Sequence, residues 1–138
     1  MRAVLCAAAV VGVMLGGIQD ADAACSQADV AGVWASYTVG ADVRGDYWLQ
    51  CTLRIAPNGK FTASSSSCIA SSGLKSAAEG SLTLANAATC AFKGGIVLTK
   101  GTAENFINHA TLAFDKNTAE GIGTFEGGGF SFNLVRIK

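Results

Sequence analysis

The side chains best able to do chemistry in this chain are five cysteines, one histidine, and a scatter of serines and carboxylates. Cys6 lies inside an apolar N-terminal run, which leaves Cys25, Cys51, Cys68 and Cys90 as a set of four. Four cysteines allow two disulfides in any of three pairings. Zinc is the competing use, but it favours close Cys or His pairs, and these four stand 26, 17 and 22 residues apart. No metal and no cofactor is expected. His109 shares a strand face with Ile107 and Thr111, opposite Phe106 and Leu112, so it reads as a solvent-facing residue. Catalysis would need an orienting partner and a nucleophile beside it. The serine run Ser64–Ser67 has no G-x-S-x-G around it and reads as a polar strand end. Asp42, Asp46, Glu79, Glu104 and Glu126 gather at or beside the loops of one end, where an acid/base pair is chemically conceivable. Nothing in the sequence brings two of them together, so the expectation is a protein without catalytic residues.

The segment around Cys6 decides where the cysteines work. Met1-Arg2 is a positive start, residues 3–17 are small or apolar, and Ala21-Asp22-Ala23 is an A-x-A cleavage pattern. That order is a secretory signal peptide, and the apolar stretch is shorter than the roughly 20 residues a spanning helix needs. Residues 1–24 are therefore expected to be removed, leaving a single domain over 25–138. Export to the periplasm or the medium is an oxidising destination, where four cysteines form two bridges. No integral membrane segment is expected after processing. The full chain carries ten basic and ten acidic residues; losing Arg2, Asp20 and Asp22 leaves an excess of one positive charge. No Lys or Arg run exists to track phosphates, so nucleic acid is not an expected partner.

The elements that must position these groups read as strands. No long 3.6-residue periodicity follows residue 30. Short β-branched or aromatic runs recur instead, split by Gly, Asn, Asp and Ser. Eight are predicted: Gly32–Val39, Tyr47–Ala56, Lys60–Ser67, Glu79–Leu84, Thr89–Thr99, Asn105–Phe114, Ala119–Phe125 and Phe130–Ile137. Pro57-Asn58-Gly59 and Asp115-Lys116-Asn117-Thr118 are turns, and Gly94-Gly95 predicts a bulge or sharp bend. Leu49, Cys51, Leu53 and Ile55 alternate onto one face, as do Phe130, Phe132, Leu134 and Arg136, and Phe106, Asn108, Ala110, Leu112 and Phe114. One apolar face per strand with short connections is an antiparallel meander. Closing it removes the exposed edges, so the expected fold is all-β, an eight-stranded antiparallel up-and-down barrel.

Tracing the strands up and down places residues 57–59, 85–88 and 115–118 at a base, and the longer connections 40–46, 68–78, 100–104 and 126–129 at a top. Function is expected at that top, because loops on a rigid scaffold carry it. The tracing puts Cys51 and Cys68 in the upper half, and Cys25 and Cys90 at the base. Cys51–Cys68 and Cys25–Cys90 are thus the pairings geometry allows most easily.

Gly32-Val33-Trp34 opens the first strand and Arg136 lies near the end of the last. This resembles the calycin superfamily of lipocalins, fatty-acid-binding proteins, avidins and small bacterial metalloprotease inhibitors. The resemblance implies a lipocalin-like barrel, a short 3₁₀ turn at Ser26–Ala31, and Arg136 packed over Trp34 at the closed end. The chain is shorter than lipocalins and lacks their helix after the barrel. Cys51 with Cys68 is similar to the inhibitors' bridge, but Cys25 would tie down the N-terminal arm those proteins use. Avidin-type sites need several tryptophans, and here there are Trp34 and an outward Trp48.

The interior expected from strand parity is Leu49, Leu53, Phe106, Phe130 and Phe132, with Ser36, Thr38 and Asn108 as polar members. Polar groups toward the mouth of an apolar barrel suit a small apolar or amphipathic ligand. A filled core is the alternative, since eight strands leave little room. The expected function is non-enzymatic binding of a small molecule by a monomer. The other reading is a protein-binding module or protease inhibitor acting through loops 40–46, 68–78 and 100–104.

Overall fold

A computed structural model describes residues 24–100 and 104–138. The expected leader, residues 1–24, lies outside the described residues except for Ala24. After a 3₁₀ turn at Gln27–Val30 come β1 (Gly32–Asp42), β2 (Gly45–Ile55), β3 (Lys60–Phe61), β4 (Ser67–Ala70), β5 (Lys75–Asn86), β6 (Ala91–Leu98), β7 (Glu104–Leu112), β8 (Thr118–Phe125) and β9 (Gly128–Arg136). Every pairing is antiparallel, and β1 bonds to both β2 and β9, which closes the sheet. The two short segments β3 and β4 both lie between β2 and β5. They are two pieces of one stave, so the molecule is an eight-stranded up-and-down barrel with lipocalin-like topology.

The break in that stave corrects the expectation of a continuous strand Lys60–Ser67. Between Phe61 and Cys68 there is no large apolar side chain to anchor an inward face. Ser and Thr instead bond locally, which competes with the ladder. The Thr62 hydroxyl shares hydrogen bonds with those of Ser64 and Ser65, and Ser66 Oγ accepts from the Arg54 N–H at 3.1 Å.

A second correction concerns the loops. Strands run further upward than their apolar residues indicate, because backbone pairing continues through polar positions: Asp42 pairs with Gly45 across a two-residue turn. β4 ends at Ala70 and β5 starts at Lys75; β8 ends at Phe125 and β9 starts at Gly128. The expected long loops 40–46, 68–78 and 126–129 are therefore short turns, no longer than those at the base, and the fourth, 100–104, lies largely outside the described residues.

The third correction is a change of parity in β7. Facing β8, Ile107 pairs with Gly123 while His109 pairs with Ile122, so Asn108 is an extra residue. A bulge of this kind sends the residues on its two sides to opposite alternations. Ala110 and Leu112 point inward as expected, but before the bulge the inward residue is Ile107, and Phe106 is 55% exposed. Phe106 and Asn108 are thus not interior residues. The irregularity lies on β7, across from Lys93 and next to the Gly94 pairing, rather than on β6 where Gly94-Gly95 predicts it. Phe114 falls beyond β7, in the turn, and is exposed.

The base is closed by side chains. Trp34 is buried and pairs across the ladder with Arg136, whose guanidinium carbon lies 4.3 Å from the indole centroid. Arg136 Nη2 donates to the Asp29 carbonyl at 2.6 Å and Nε to the Lys116 carbonyl at 3.0 Å, and Nη1 donates to the Ala31 carbonyl. Trp34 Nε1 donates to the Val30 carbonyl at 2.8 Å. One arginine thus satisfies the carbonyl ends of the 3₁₀ turn and of the turn after β7 while covering the indole. Gln27, which no sequence signal marks, stitches the turn to β5: its Nε2 donates to the Leu82 carbonyl and its Oε1 accepts from the Leu84 N–H. Cys25 and Cys90 are bonded at this end, with Cα atoms 5.1 Å apart. Cys51 and Cys68, cross-strand neighbours in β2 and β4, are bonded higher up, with Cα atoms 4.0 Å apart.

Candidate functional site: a one-ended barrel cavity

Above the Trp34 layer the interior is open. A cavity of about 510 Å³ runs from mid-barrel to the mouth. Below it, Trp34, Phe92, Leu82 and Leu112 fill the barrel, leaving about 10 Å³ of space. The difference follows from side-chain size. Inward positions of the upper half are held by Ser36, Thr38, Gly121 and Gly123, small residues on β1 and β8, where the lower half has Trp34, Phe92 and Leu112.

One wall of the cavity is aromatic. Tyr47 meets Phe125 edge-on at 5.5 Å between centroids, Phe125 stacks near Phe130 at 6.4 Å, and Phe130 lies 6.1 Å from Phe132. The rings descend from the mouth into the barrel. Each lies against a glycine of the neighbouring strand: Tyr47 on Gly40, Phe125 on Gly128, Phe130 on Gly123, Phe132 on Gly121. A Cβ on Gly123 would come within 2.2 Å of the Phe130 ring, and one on Gly121 within 2.5 Å of Phe132. The glycines let the rings lie back on the sheet, which turns their free surface toward the lumen.

Two hydroxyls interrupt the apolar lining. Ser36 and Thr38 are buried, yet among the described residues neither side-chain hydroxyl makes a hydrogen bond. Neither side-chain oxygen is sealed from solvent, since no enclosed side-chain oxygen or nitrogen among the described residues lacks a partner. The hydroxyls therefore open onto the cavity. Asn105 also lines it, its Nδ2 3.4 Å from the Ile96 carbonyl.

The mouth carries the charge. Arg44, at the tip of the β1–β2 turn, grips Asp42 through Nη2 at 2.6 Å and Nε at 3.0 Å, and the Asp42 carboxylate also accepts from the Arg44 N–H. These bonds hold the Asp42 carboxyl below the usual carboxylate value. Asp46 stands beside them, exposed. Partial burial, with the Asp42 charge adding to it, pushes the Tyr47 phenol up.

Of the expected interior residues, Ser36, Thr38, Leu49, Leu53, Phe130 and Phe132 all line this cavity; Phe106 and Asn108 do not. Asn108 Oδ1 instead accepts from Thr124 on the outside of the barrel, at 3.2 Å. Sequence parity misses Ile107 and Asn105 because the bulge displaces them; the expected interior omits Tyr47 and Phe125 because each stands at the end of a predicted strand, although Tyr47 shares the parity of Leu49. His109 stands on the outer face, its Nε2 3.0 Å from Thr111 Oγ1.

No protein-family model matches the chain, and no curated protein does. Among solved structures it is similar to a de novo designed fluorescence-activating β-barrel, with a TM-score of 0.56 and 14% identity over 77% of this chain and 92% of that one. A redesigned β-barrel is similar too, with a TM-score of 0.54 and 15% identity over 81% and 95% of the two chains. At such identities the likeness is one of fold: a small closed barrel.

Proposed function

We propose that the protein is an exported, non-catalytic carrier that holds a small apolar or amphipathic molecule in the upper half of its barrel. The single observation that supports this reading is the cavity of about 510 Å³, lined by aromatic rings and two unpartnered hydroxyls. Drug-sized ligand sites fall at roughly 300–1,000 Å³ and have this chemistry, a largely apolar lining with a few convergent polar groups. A solid structural protein would have filled it, since a void forfeits packing contacts. One of the barrels of similar fold is a fluorescence-activating design, which is in keeping with a chromophore-sized interior. The calycin relationship is part of the same proposal, supported by the Trp34–Arg136 contact and the 3₁₀ turn before β1. Of the loops the protein-binding alternative would use, 40–46 and 68–78 are short turns, and 100–104 lies largely outside the described residues.

Native mass spectrometry of the protein purified from the exported fraction tests all parts together. The expected species lacks residues 1–24, is four hydrogens lighter than the reduced chain, and carries a small non-covalent adduct. A mass that retains the leader overturns export. A bare polypeptide mass under the gentlest conditions overturns the carrier reading.

A further inference from the structure

The geometry points to a ligand class: a flat, aromatic or conjugated molecule that carries no negative charge, with one hydrogen-bonding group at its inner end. This rests on the carrier reading and narrows it. The aromatic wall is the first observation. Tyr47, Phe125, Phe130 and Phe132 present ring faces and edges along one side of the lumen, and flat ring systems gain offset or edge-to-face contacts there beyond simple area burial. The second is the absence of a compensating cation. Among the described residues that line the cavity the one cationic side chain is Arg44, which is 86% exposed at the rim and already chelated by Asp42. An anion drawn inside would lose its hydration with nothing to replace it. An anion kept at the rim would meet Asp46 next to the neutralised Asp42–Arg44 pair. The third is Ser36 and Thr38, whose hydroxyls face the lumen without partners and so favour a ligand that brings a donor or acceptor to that depth.

A matched pair of fluorescent probes tests the class. N-phenyl-1-naphthylamine and 8-anilino-1-naphthalenesulfonate share one ring skeleton and differ by a sulfonate. Titration of the full oxidised protein with each is expected to give at least about tenfold tighter binding of the neutral amine, with a blue-shifted emission. D46K, an exposed change at the rim, is expected to narrow that gap by strengthening sulfonate binding. T38V is expected to weaken amine binding by about two- to tenfold, the value of one lost hydrogen bond. Equal or tighter binding of the sulfonate by the unmodified protein overturns the charge selection while leaving the carrier reading standing. Failure of both probes to bind overturns the cavity as a site. Unchanged amine affinity in T38V removes the inner hydrogen-bonding group from the proposal.

Discussion

The two ends of this barrel are built from the same staves and, among the described residues, from similarly short turns, yet one is solid and the other hollow. At the base Trp34, Phe92, Leu82 and Leu112 interdigitate, a 3₁₀ turn caps them, and Arg136 ties the cap down. At the mouth small residues on β1 and β8 leave the lumen open, and among the described residues the rim is formed by the β1–β2 turn with Ser71 and Ser72 of the β4–β5 turn. Among the described turns, length does not distinguish the open end from the closed one. What distinguishes them is the volume of inward side chains and the presence of a plug. Close packing is thus concentrated below and open volume above, so the proposed pocket can stay unfilled while the base holds the domain together.

The comparison breaks most visibly at the disulfides. In the chain-entropy view a bridge stabilises more when it closes a longer loop. Cys25–Cys90, with a sequence separation of 65, should contribute about 4 kcal/mol, and Cys51–Cys68, with a separation of 17, about 3 kcal/mol. Urea unfolding of the paired variants C25A/C90A and C51A/C68A measures both. A larger loss from the upper pair would mean that the base is not the more strongly fastened end.

Arg136→Ala comes next, at about 3 kcal/mol. It deletes a cation over a desolvated indole and strands three carbonyls that the guanidinium now satisfies. Chemical denaturation in a Trp48→Phe background should show that loss together with a shift of Trp34 emission. Unchanged emission would dissociate Arg136 from the plug.

Gly123→Ala sharpens the contrast from the other side. The added methyl would press on Phe130 and on the Phe106 carbonyl, 2.3 Å away, at a cost of about 1–3 kcal/mol. Because the ring can swing into the lumen, the same variant should lose probe binding by more than its fall in stability accounts for. Thermal melts and a titration of one preparation separate the two effects.

The smallest effect is electrostatic. Asp29 accepts from the Ser26 N–H at 2.7 Å and faces Lys116 Nζ at 3.0 Å, and these contacts hold its carboxyl below the ordinary 3.8. A folded-state value depressed in this way stabilises fully above the unfolded value, and the stabilisation disappears as pH falls from there through the folded value. Acid unfolding of Asp29→Asn should therefore show a shallower loss of stability below about pH 4 than the parent chain.

Much of the architecture was legible in the residues themselves. Alternation in the predicted strands Tyr47–Ala56 and Phe130–Ile137 marks the inward faces correctly, and the G-x-W with Arg136 marks the closed end. The cysteine pairing followed from tracing strand direction, since antiparallel order alone puts Cys51 and Cys68 at one height. Alternation fails at Phe106 and Asn108 because a single inserted residue reverses every inward assignment on one side of it, and no local pattern announces the insertion. The broken stave was half legible: the serines marked an end to the third strand but not its resumption at Ser67–Ala70.

The chain by itself determined how many staves there are, which faces they bury and which cysteines meet, because these depend on period-two patterning and chain direction, both local properties. Tertiary structure alone decided that the upper lumen stays empty and aromatic on one wall. That outcome depends on which small residue of one strand lies opposite which ring of the next, and register between strands is settled only when the barrel closes.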